Sequence, residues 1–368
     1  MQNYSMMLPN YSIGPAVFEQ IKQFCSPYGK TVIAIGGHKA MAAARPLIAQ
    51  AIADSDLQIL EFLWYGGEAS YENVTALQQH PLVQQADMIF AIGGGKALDT
   101  CKCLGIKTGK PVFTFPTIAS TCAAVTSVAI MYHSDGSFCE PFFFSQPPAH
   151  AFIQTGLIAA APPQYLWAGM GDTYAKYYET SVSARGDQLE HFNGLGVQMS
   201  RQCLEPLLQY GKQALDDNQR QQCTYALEQV VLAVIVTTGL VSIFVTREHT
   251  SDYNSGLAHG IFYALTTLPH FEATHLHGAV VGFGVLLLLL CDKQTAEFER
   301  LYQFNRSVGL PVSLQDLEIT PAQMESLYPS VINAKDVQHY PYPITGPMLQ
   351  QAFAQLDSYH QKYSHPDK

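Results

Sequence analysis

Residues 88–99 read MIFAIGGGKALD, and this stretch decides the fold. An apolar run of strand length ends at three glycines, 93–95, and a helix-prone segment with Lys96 in its first turn follows. Glycine allows positive φ and lets backbone N–H groups approach a ligand closely, and a helix N-terminus carries partial positive charge. The junction therefore suits a phosphate, although it matches neither the G-x-G-x-x-G fingerprint nor a Walker loop. Taken alone, such a run is also typical of an ordinary tight turn between a strand and a helix.

The composition describes a compact globular protein with modest surface charge. The chain has 368 residues, 48% hydrophobic and 14% charged, with a net charge of −10. This length is enough for two domains, and the acidic balance without a basic run argues against nucleic acid as a partner. The first residues lack the pattern of a signal peptide. Eight cysteines without a C-x-x-C pair favour reduced thiols and a cytoplasmic location.

Two apolar runs, 230–246 and 279–291, need to be compared with membrane spans. A span needs roughly 20 apolar residues. The first run is slightly short and contains polar residues, and the second is clearly too short. We therefore predict that both are helices buried in a helical core, with no membrane association.

The pattern of elements changes near Pro162. Before it, predicted strands alternate with helices, which indicates βαβ units and a parallel sheet with ligands at the carboxyl ends of its strands. After it, long helices dominate. We predict an α/β domain over 1–162 and an all-helical domain over 163–368. The predicted strands are 31–35, 57–64, 88–92 and 111–116, and the predicted helices of the second domain are 165–184, 190–215, 217–246, 255–267, 277–290 and 295–307.

Three residues of the helical half form a candidate metal site. Asp172 follows Gly169-Met170-Gly171 at a predicted helix start, His259 lies among small residues, and His277 begins another helix. One carboxylate and two imidazoles, with a fourth position open, are typical of a catalytic metal site. Singly, Asp172 has an alternative as an N-cap, and each histidine has one as a hydrogen-bonded core residue.

Six motifs in order resemble those of a known family. They are GGEAS at 66–70, GGGK at 93–96 with Asp99, PTIAST at 116–121, GMGD at 169–172, GLAH at 256–259 and HG at 277–278. Together they resemble the glycerol dehydrogenase-like branch of the iron-containing alcohol dehydrogenase family, over nearly the whole chain. The resemblance implies a Rossmann-like dinucleotide-binding domain followed by an all-helical metal-binding domain.

The resemblance also implies the activity and the residues that support it. We expect hydride transfer between NAD or NADP and a small alcohol or carbonyl substrate, assisted by one Zn²⁺ or Fe²⁺ that polarises the substrate oxygen, in a homo-oligomer. The metal ligands would be Asp172, His259 and His277. The pyrophosphate would bind Gly94, Gly95 and Lys96, and the rest of the cofactor would contact Asp99, Thr117, Ser120, Thr126, Val128 and Tyr132.

The first departure from the family pattern concerns the cofactor. NAD-preferring relatives carry an acid just after the first strand, whereas this chain has Gly37 and His38 there, followed by Lys39. Losing the acid removes a repulsion, and a cationic side chain would meet a 2′-phosphate, so the sequence leans to NADP(H). The alternative is that Lys39 is a solvated residue of the first helical turn.

The second departure concerns the substrate. Glycerol dehydrogenases have an aspartate immediately after the Ser-Thr pair, but this chain has Cys122, and Lys176 lies one helical turn after Asp172. Losing a negative charge and adding a positive one favours an anionic substrate, so we predict a 2-hydroxy acid/2-oxo acid dehydrogenase. The alternatives are that Cys122 only fills space and that Lys176 pairs with Glu179.

Other functions remain open at this point. A glycerol or polyol dehydrogenase keeps the same site. A lyase resembling dehydroquinate synthase has a similar fold, cofactor and metal, but its basic substrate cluster is not found here. An Fe(II) oxygenase leaves the glycine cluster and 117–121 without a role. A catalytically silent binding protein is disfavoured because all three metal-ligand positions are filled.

Overall fold

The computed structural model describes residues 3–364. Within them, six strands form one parallel sheet in the order β1-β8-β5-β4-β2-β3, and two strands form a separate antiparallel ribbon. The strands are β1 Tyr11–Gly14, β2 Thr31–Gly36, β3 Gln58–Trp64, β4 Met88–Gly93, β5 Val112–Pro116, β6 Val128–Tyr132, β7 Phe138–Phe143 and β8 His150–Gln154.

The helices alternate with the strands in the first half and then follow one another without further strands in the described residues. They are α1 Ile21–Cys25, α2 His38–Ile52, α3 Tyr71–Gln79, α4 Pro81–Gln85, α5 Gly95–Thr108, α6 Thr155–Ala159, α7 Pro163–Ser183, α8 His191–Ser200, α9 Glu205–Gln219, α10 Tyr225–Val231, α11 Thr238–Val245, α12 Leu257–Leu265, α13 Phe271–Thr274, α14 His277–Cys291, α15 Thr295–Val308, α16 Pro321–Ile332 and α17 Gly346–Ser364.

Strand β4 lies inside the sheet. It pairs with β2 on one side and β5 on the other, and all six of its residues are buried. A strand covered on both faces must be apolar throughout, which explains the continuous run at 88–92. The ring of Phe90 is tilted against that of Phe115, with centroids 4.7 Å apart, and Phe115 stacks on Phe152 of β8 at 5.1 Å. These rings form the core beneath the strand ends.

Helix α5 begins at the end of β4 because glycines occupy the junction. Gly93 has φ +149°, a backbone conformation that L side chains rarely adopt. A Cβ on Gly94, the N-cap of α5, would lie 2.6 Å from Cδ1 of Ile118. Gly109 ends the helix in the left-handed region, with φ +68°. The strand, turn and helix predicted from 88–99 are confirmed.

The chain divides into two compact units. One contains the residues up to Tyr165 together with Asp216–Ile243, and the other contains Leu166–Leu215 and the residues from Phe244 onward. The α/β fold with a helical second half is confirmed, since no described residue after β8 belongs to a strand. The division into domains 1–162 and 163–368 stays a prediction, and the contacts group Asp216–Ile243 with the first unit.

Helices α7 and α14 of the second unit cross with their backbones in contact. A Cβ on Gly171 would lie 2.0 Å from the carbonyl oxygen of Gly278, and a Cβ on Gly278 would lie 2.0 Å from the carbonyl oxygen of Ala168. Only glycine fits at such a crossing. The contact brings together the two helix segments that carry Asp172 and His277.

The two apolar runs lie in helices. Helices α10 and α11 join through a π-helical segment, Leu232–Thr237, into a continuous helix over Tyr225–Val245. By length and composition this helix could cross a membrane, but 72% of its apolar window is buried inside the protein. The helix is longer than its apolar run because it begins at Tyr225, capped by the side chain of Thr224. Burial accounts for its apolar character.

Several sequence predictions of local structure are wrong. Asp172 does not begin a helix: α7 begins at Pro163 and continues through Gly169 and Gly171, because close packing on α14 stabilises the helix there. The helix predicted at 190–215 is interrupted at Leu204, where α8 and a 3₁₀ turn end before α9. Strands β1, β6, β7 and β8 were not predicted; the first three are only partly buried, and β8 is buried but contains two polar residues.

Candidate functional site

Asp172, His259 and His277 converge on one point. They come from α7, α12 and α14, and one ligand atom from each lies within 4.8 Å of the others. Nε2 of His259 is 3.4 Å from Oδ1 of Asp172, and Nε2 of His277 is 3.5 Å from the same oxygen. The structure therefore assembles the three predicted ligands from separate helices.

The spacing and chemistry of this triad fit a divalent metal ion. Ligands about 2.0–2.2 Å from a tetrahedral ion lie roughly 3.4 Å from one another, close to the two distances above. The donors, one carboxylate and two imidazoles, suit zinc or iron. Three protein ligands leave a coordination position for water or substrate.

The charges around the triad also favour a positive charge at this point, either a metal ion or a protonated imidazole. Burial alone would raise the pKa of Asp172, but hydrogen bonds and charge from His259 and His277 hold it well below its usual range. Burial would lower the pKa of His259, yet Glu179 and Asp172 outweigh it and raise this pKa to about 10. In the absence of a metal ion, the imidazole between two carboxylates is therefore held as a cation.

Glu179 is a further residue of this site, beyond the ligands predicted from the sequence. Its carboxylate is fully buried and accepts two hydrogen bonds from His259, one from the backbone N–H at 3.1 Å and one from Nδ1 at 2.6 Å. The available signal was its spacing, because seven residues after Asp172 is two helical turns, on the same face of α7. Glu179 thus bonds to His259, which the alternative of a Lys176–Glu179 pair did not include.

Lys176 reaches Asn254. Its Nζ donates to the backbone carbonyl of Asn254 and, at 2.9 Å, to the side-chain oxygen of the same residue. Lys176 is buried, as is Glu179. Cys122, in the first unit, is half-buried beside Gly239, whose added Cβ would lie 3.6 Å from that of Cys122. The substrate roles assigned to Lys176 and Cys122 stay predictions.

The predicted phosphate-binding lysine lies next to an acid. Nζ of Lys96 is 2.5 Å from Oε2 of Glu68 and 5.1 Å from the ring centroid of Tyr132. Gly94 and Gly95 form the start of α5, where the N–H groups of the first turn have no partner within the helix. The structure thus places Lys96 and Tyr132 together near the N-terminus of α5, with Glu68 as an additional neighbour.

Three other predicted cofactor residues form one buried cluster around Lys102. Its Nζ lies 2.8 Å from Oδ1 of Asp99 and donates to Oγ1 of Thr126 at 2.9 Å and to the carbonyl of Val128 at 2.5 Å. The other oxygen of Asp99 accepts from the N–H of Ile130. These contacts fasten α5 to β6. The cofactor role of Asp99, Thr126 and Val128 stays a prediction.

The remaining predicted cofactor residues lie where strands of the sheet end. Thr117 follows β5 and donates its backbone N–H to the carbonyl of Gly93, and Ser120 is half-buried in the same loop. Gly37 is the N-cap of α2, and the exposed ring of His38 stacks on Trp64, with centroids 5.4 Å apart. Parallel strands end at one edge of the sheet, so these residues share that edge.

Comparisons with known proteins identify the relatives of this chain. A family described as iron-containing alcohol dehydrogenase matches residues 9–148. A glycerol dehydrogenase of Thermotoga maritima is 34% identical, over 80% of this chain and 81% of the relative. Hydroxycarboxylate dehydrogenase A of Escherichia coli is 30% identical, over 95% of this chain and 96% of the relative.

The chain belongs to the iron-containing alcohol dehydrogenase family. A probable glycerol dehydrogenase from Sinorhizobium meliloti has the same fold, with a TM-score of 0.82 and 26% identity, and the alignment covers 98% of this chain and 100% of the other. The resemblance inferred from the six motifs is confirmed. Family membership makes the protein a metal-dependent oxidoreductase that acts on CH–OH groups of small molecules.

Proposed function

We propose that this protein binds one divalent ion, Zn²⁺ or Fe²⁺, through Asp172, His259 and His277 and transfers hydride between NAD(P) and a small hydroxylated substrate. The observation that carries the proposal is the convergence of these three side chains from separate helices, with ligand atoms 3.4–3.5 Å apart at two of the edges. A bound ion would polarise the oxygen of the substrate, and hydride transfer belongs to the nicotinamide.

The chain's own residues orient these groups. Asp172 supplies a carboxylate that stays ionised, because its pKa is well below neutral. Glu179 holds the ring of His259. The first turn of α5 presents backbone N–H groups and Lys96 to the pyrophosphate. Asp172 would thus hold the metal ion, and Lys96 would bind the pyrophosphate of the cofactor.

A matched pair of histidine variants tests the metal site. His259→Ala should lose stoichiometric zinc or iron and nearly all turnover. His275→Ala is the control, because His275 lies two residues from His277 but stacks on Phe271 at 4.5 Å and is outside the triad. Metal content by atomic emission and nicotinamide absorbance measure the two effects. Full metal content and turnover in His259→Ala would contradict the assignment.

For the cofactor, we propose a preference for NADP(H). The support is that β2 is followed by Gly37 and His38 without an acid, and that the exposed His38 ring is held against Trp64. An imidazole or Lys39 would donate to a 2′-phosphate, which NAD lacks. His38→Ala should lower kcat/KM for NADP more than for NAD. A wild-type enzyme with a strong preference for NAD would contradict this proposal.

For the substrate, we propose a 2-hydroxy acid/2-oxo acid pair. Cys122 occupies the position of the carboxylate expected in glycerol dehydrogenases, and thiols are weak hydrogen-bond partners for a polyol. Lys176 adds a positive charge one turn from Asp172 on α7, although Asn254 now binds its ammonium group. A relative named hydroxycarboxylate dehydrogenase A also aligns over 95% of the chain.

Glycerol oxidation is the second candidate, favoured by the 34% identity to a protein named glycerol dehydrogenase. A kinetic panel of glycerol, 1,2-propanediol, 2-oxobutyrate and 2-oxoglutarate distinguishes the two, with Cys122→Asp as the paired variant. We expect the wild type to prefer the oxo acids and Cys122→Asp to gain activity on glycerol. Efficient glycerol oxidation by the wild type, unchanged in Cys122→Asp, would contradict the substrate assignment.

The protein's setting is also a proposal. We propose a cytoplasmic location, supported by eight cysteines without a C-x-x-C pair. Homo-oligomerisation rests on the family resemblance alone. Analytical ultracentrifugation measures it directly, and a monomer at micromolar concentration would contradict it.

A further inference from the structure

We propose that Glu179 is a positioning residue, which fixes the imidazole of His259 so that Nε2 faces the metal. This inference rests on the metal site proposed above. Glu179 is the acid that bonds this histidine from the side opposite Asp172: its Oε2 is 2.6 Å from Nδ1, whereas Asp172 lies at Nε2. The two nitrogens of one ring are thus assigned to two different carboxylates.

The carboxylate of Glu179 is itself held in place. Oε1 accepts the backbone N–H of His259 at 3.1 Å, so the acid contacts the ring and the main chain of the same residue. Glu179 has no exposed surface. An unpaired carboxylate would be costly at such a site, so the two bonds from His259 are needed to keep Glu179 buried. Helix α7 therefore carries both Asp172 and the acid that orients His259.

These contacts determine which nitrogen of His259 carries the proton when a metal is bound. A carboxylate only accepts hydrogen bonds, so Nδ1 facing Glu179 must be the protonated nitrogen. The lone pair is then on Nε2, which points to Asp172 and the proposed ion. Such an outer contact fixes the tautomer and orientation of a metal-ligating histidine and raises its basicity.

Glu179→Gln reverses this assignment with little change in shape. The backbone N–H of His259 can only donate, so it selects the amide oxygen of the new side chain. The amide nitrogen then faces Nδ1 and donates to it, which moves the ring proton to Nε2. Metal binding releases the proton of Nε2 in both proteins, but only in the variant does it leave the protonated Nδ1 facing another donor, the amide nitrogen. We expect zinc affinity to fall about 10- to 100-fold, the effect typical of removing an outer-shell partner.

Thr180→Val is the matched control. Thr180 is the next residue of α7, equally buried, and its hydroxyl donates to the carbonyl of Tyr253 at 2.8 Å rather than to His259. The substitution removes one partly buried hydrogen bond from the same helix at nearly constant volume. A general loosening of α7 would affect both variants, whereas a role through the imidazole affects only Glu179→Gln.

The experiment measures Zn²⁺ binding to the full-length apoprotein by competition with a chromophoric chelator. The melting temperature of each apoprotein and the visible absorption of the Co²⁺-substituted protein are recorded as well. We expect Glu179→Gln to bind zinc at least 10-fold more weakly, to show an altered Co²⁺ spectrum, and to melt within a few degrees of the wild type. Thr180→Val should match the wild type in zinc affinity and in its Co²⁺ spectrum.

The outcomes separate this inference from the proposed function. If the wild type itself binds no zinc or iron, the metal site is wrong. If the wild type binds zinc and Glu179→Gln binds it equally well, or loses no more affinity than Thr180→Val, the positioning role is wrong. Should Glu179→Gln not fold, Glu179→Asp replaces it, because shortening the side chain by one methylene withdraws the acceptor. Zinc binding weaker than that of Thr180→Val then supports the role, and equal binding overturns it.

Discussion

Replacing Gly171 with alanine should destabilise the protein and weaken its metal site. The added Cβ would lie 2.0 Å from the carbonyl oxygen of Gly278, whereas an unstrained C···O contact is about 3.3 Å. Helices α7 and α14 would have to separate by roughly 1 Å, because a backbone carbonyl cannot rotate away as a side chain does. Asp172 and His277 adjoin these two glycines, so the separation moves one proposed ligand relative to another.

Two effects on stability oppose each other in Gly171→Ala. Alanine favours the helix over glycine by about 1 kcal/mol. Overpacking typically costs 1–3 kcal/mol, and contact with backbone places this site at the upper end of that range. The net result is a loss of about 2 kcal/mol in the free energy of unfolding. Ligand positions must hold to within about 0.5 Å, so we also expect zinc affinity to fall at least ~10-fold.

Gly194→Ala is the control for this prediction. Gly194 lies in helix α8, and an added Cβ would meet no atom within 4 Å. Only the helix-propensity effect remains, so this variant should gain about 0.5–1 kcal/mol. Urea unfolding of the apoproteins and chelator competition for zinc measure the two effects. A Gly171→Ala protein as stable as Gly194→Ala, with wild-type zinc affinity, would refute the reasoning.

Three further predictions concern the first unit. Lys102→Met leaves the buried carboxylate of Asp99 without its cation and should lower the free energy of unfolding in urea by about 3–5 kcal/mol. Adding Asp99→Asn should recover part of this loss. If it recovers none, the loss is not a charge effect. Burial lowers the pKa of His150 to about 4, whereas its pKa in the unfolded chain is about 6.5. The unfolded chain therefore protonates this histidine first as the pH falls. The free energy of unfolding decreases between about pH 6.5 and pH 4. His150→Gln should lose about 2 kcal/mol less than the wild type over that interval, and parallel pH profiles of unfolding would contradict this. Glu68→Gln removes a negative charge 2.5 Å from Lys96 and should tighten dinucleotide binding about 3- to 5-fold in low salt, measured by cofactor fluorescence titration; weaker binding would show that Glu68 instead orients the lysine.

Local patterns in the sequence were sufficient for much of the fold. Strands β2, β4 and β5 are apolar runs that end in glycine or proline and alternate with helices, so these signals are visible without any tertiary contact. Strand β8 was missed although all of its residues are buried, because its five residues, HAFIQ, include two polar ones. One of these, His150, is paired with Ser12 of β1, whose hydroxyl lies 3.0 Å from the ring. A buried polar residue whose hydrogen-bond partner is distant in the sequence cannot be recognised as a strand residue from its neighbours alone.

For the site, the sequence determined the residue types and the family motifs, and only the tertiary structure decided the contacts. Local patterns around Asp172 conflict, because the helix predicted over 165–184 contains this residue whereas the glycines before it predict a helix start there. The packing of Gly171 against the backbone of Gly278 decides for the continuous helix. In the same way, the sequence around Glu179 is typical of an ordinary acid on a helix, and only the folded structure brings it into contact with His259. Helix and strand patterns arise from neighbours along the chain, whereas charges, tautomers and metal ligands depend on residues that only folding brings within a few ångströms.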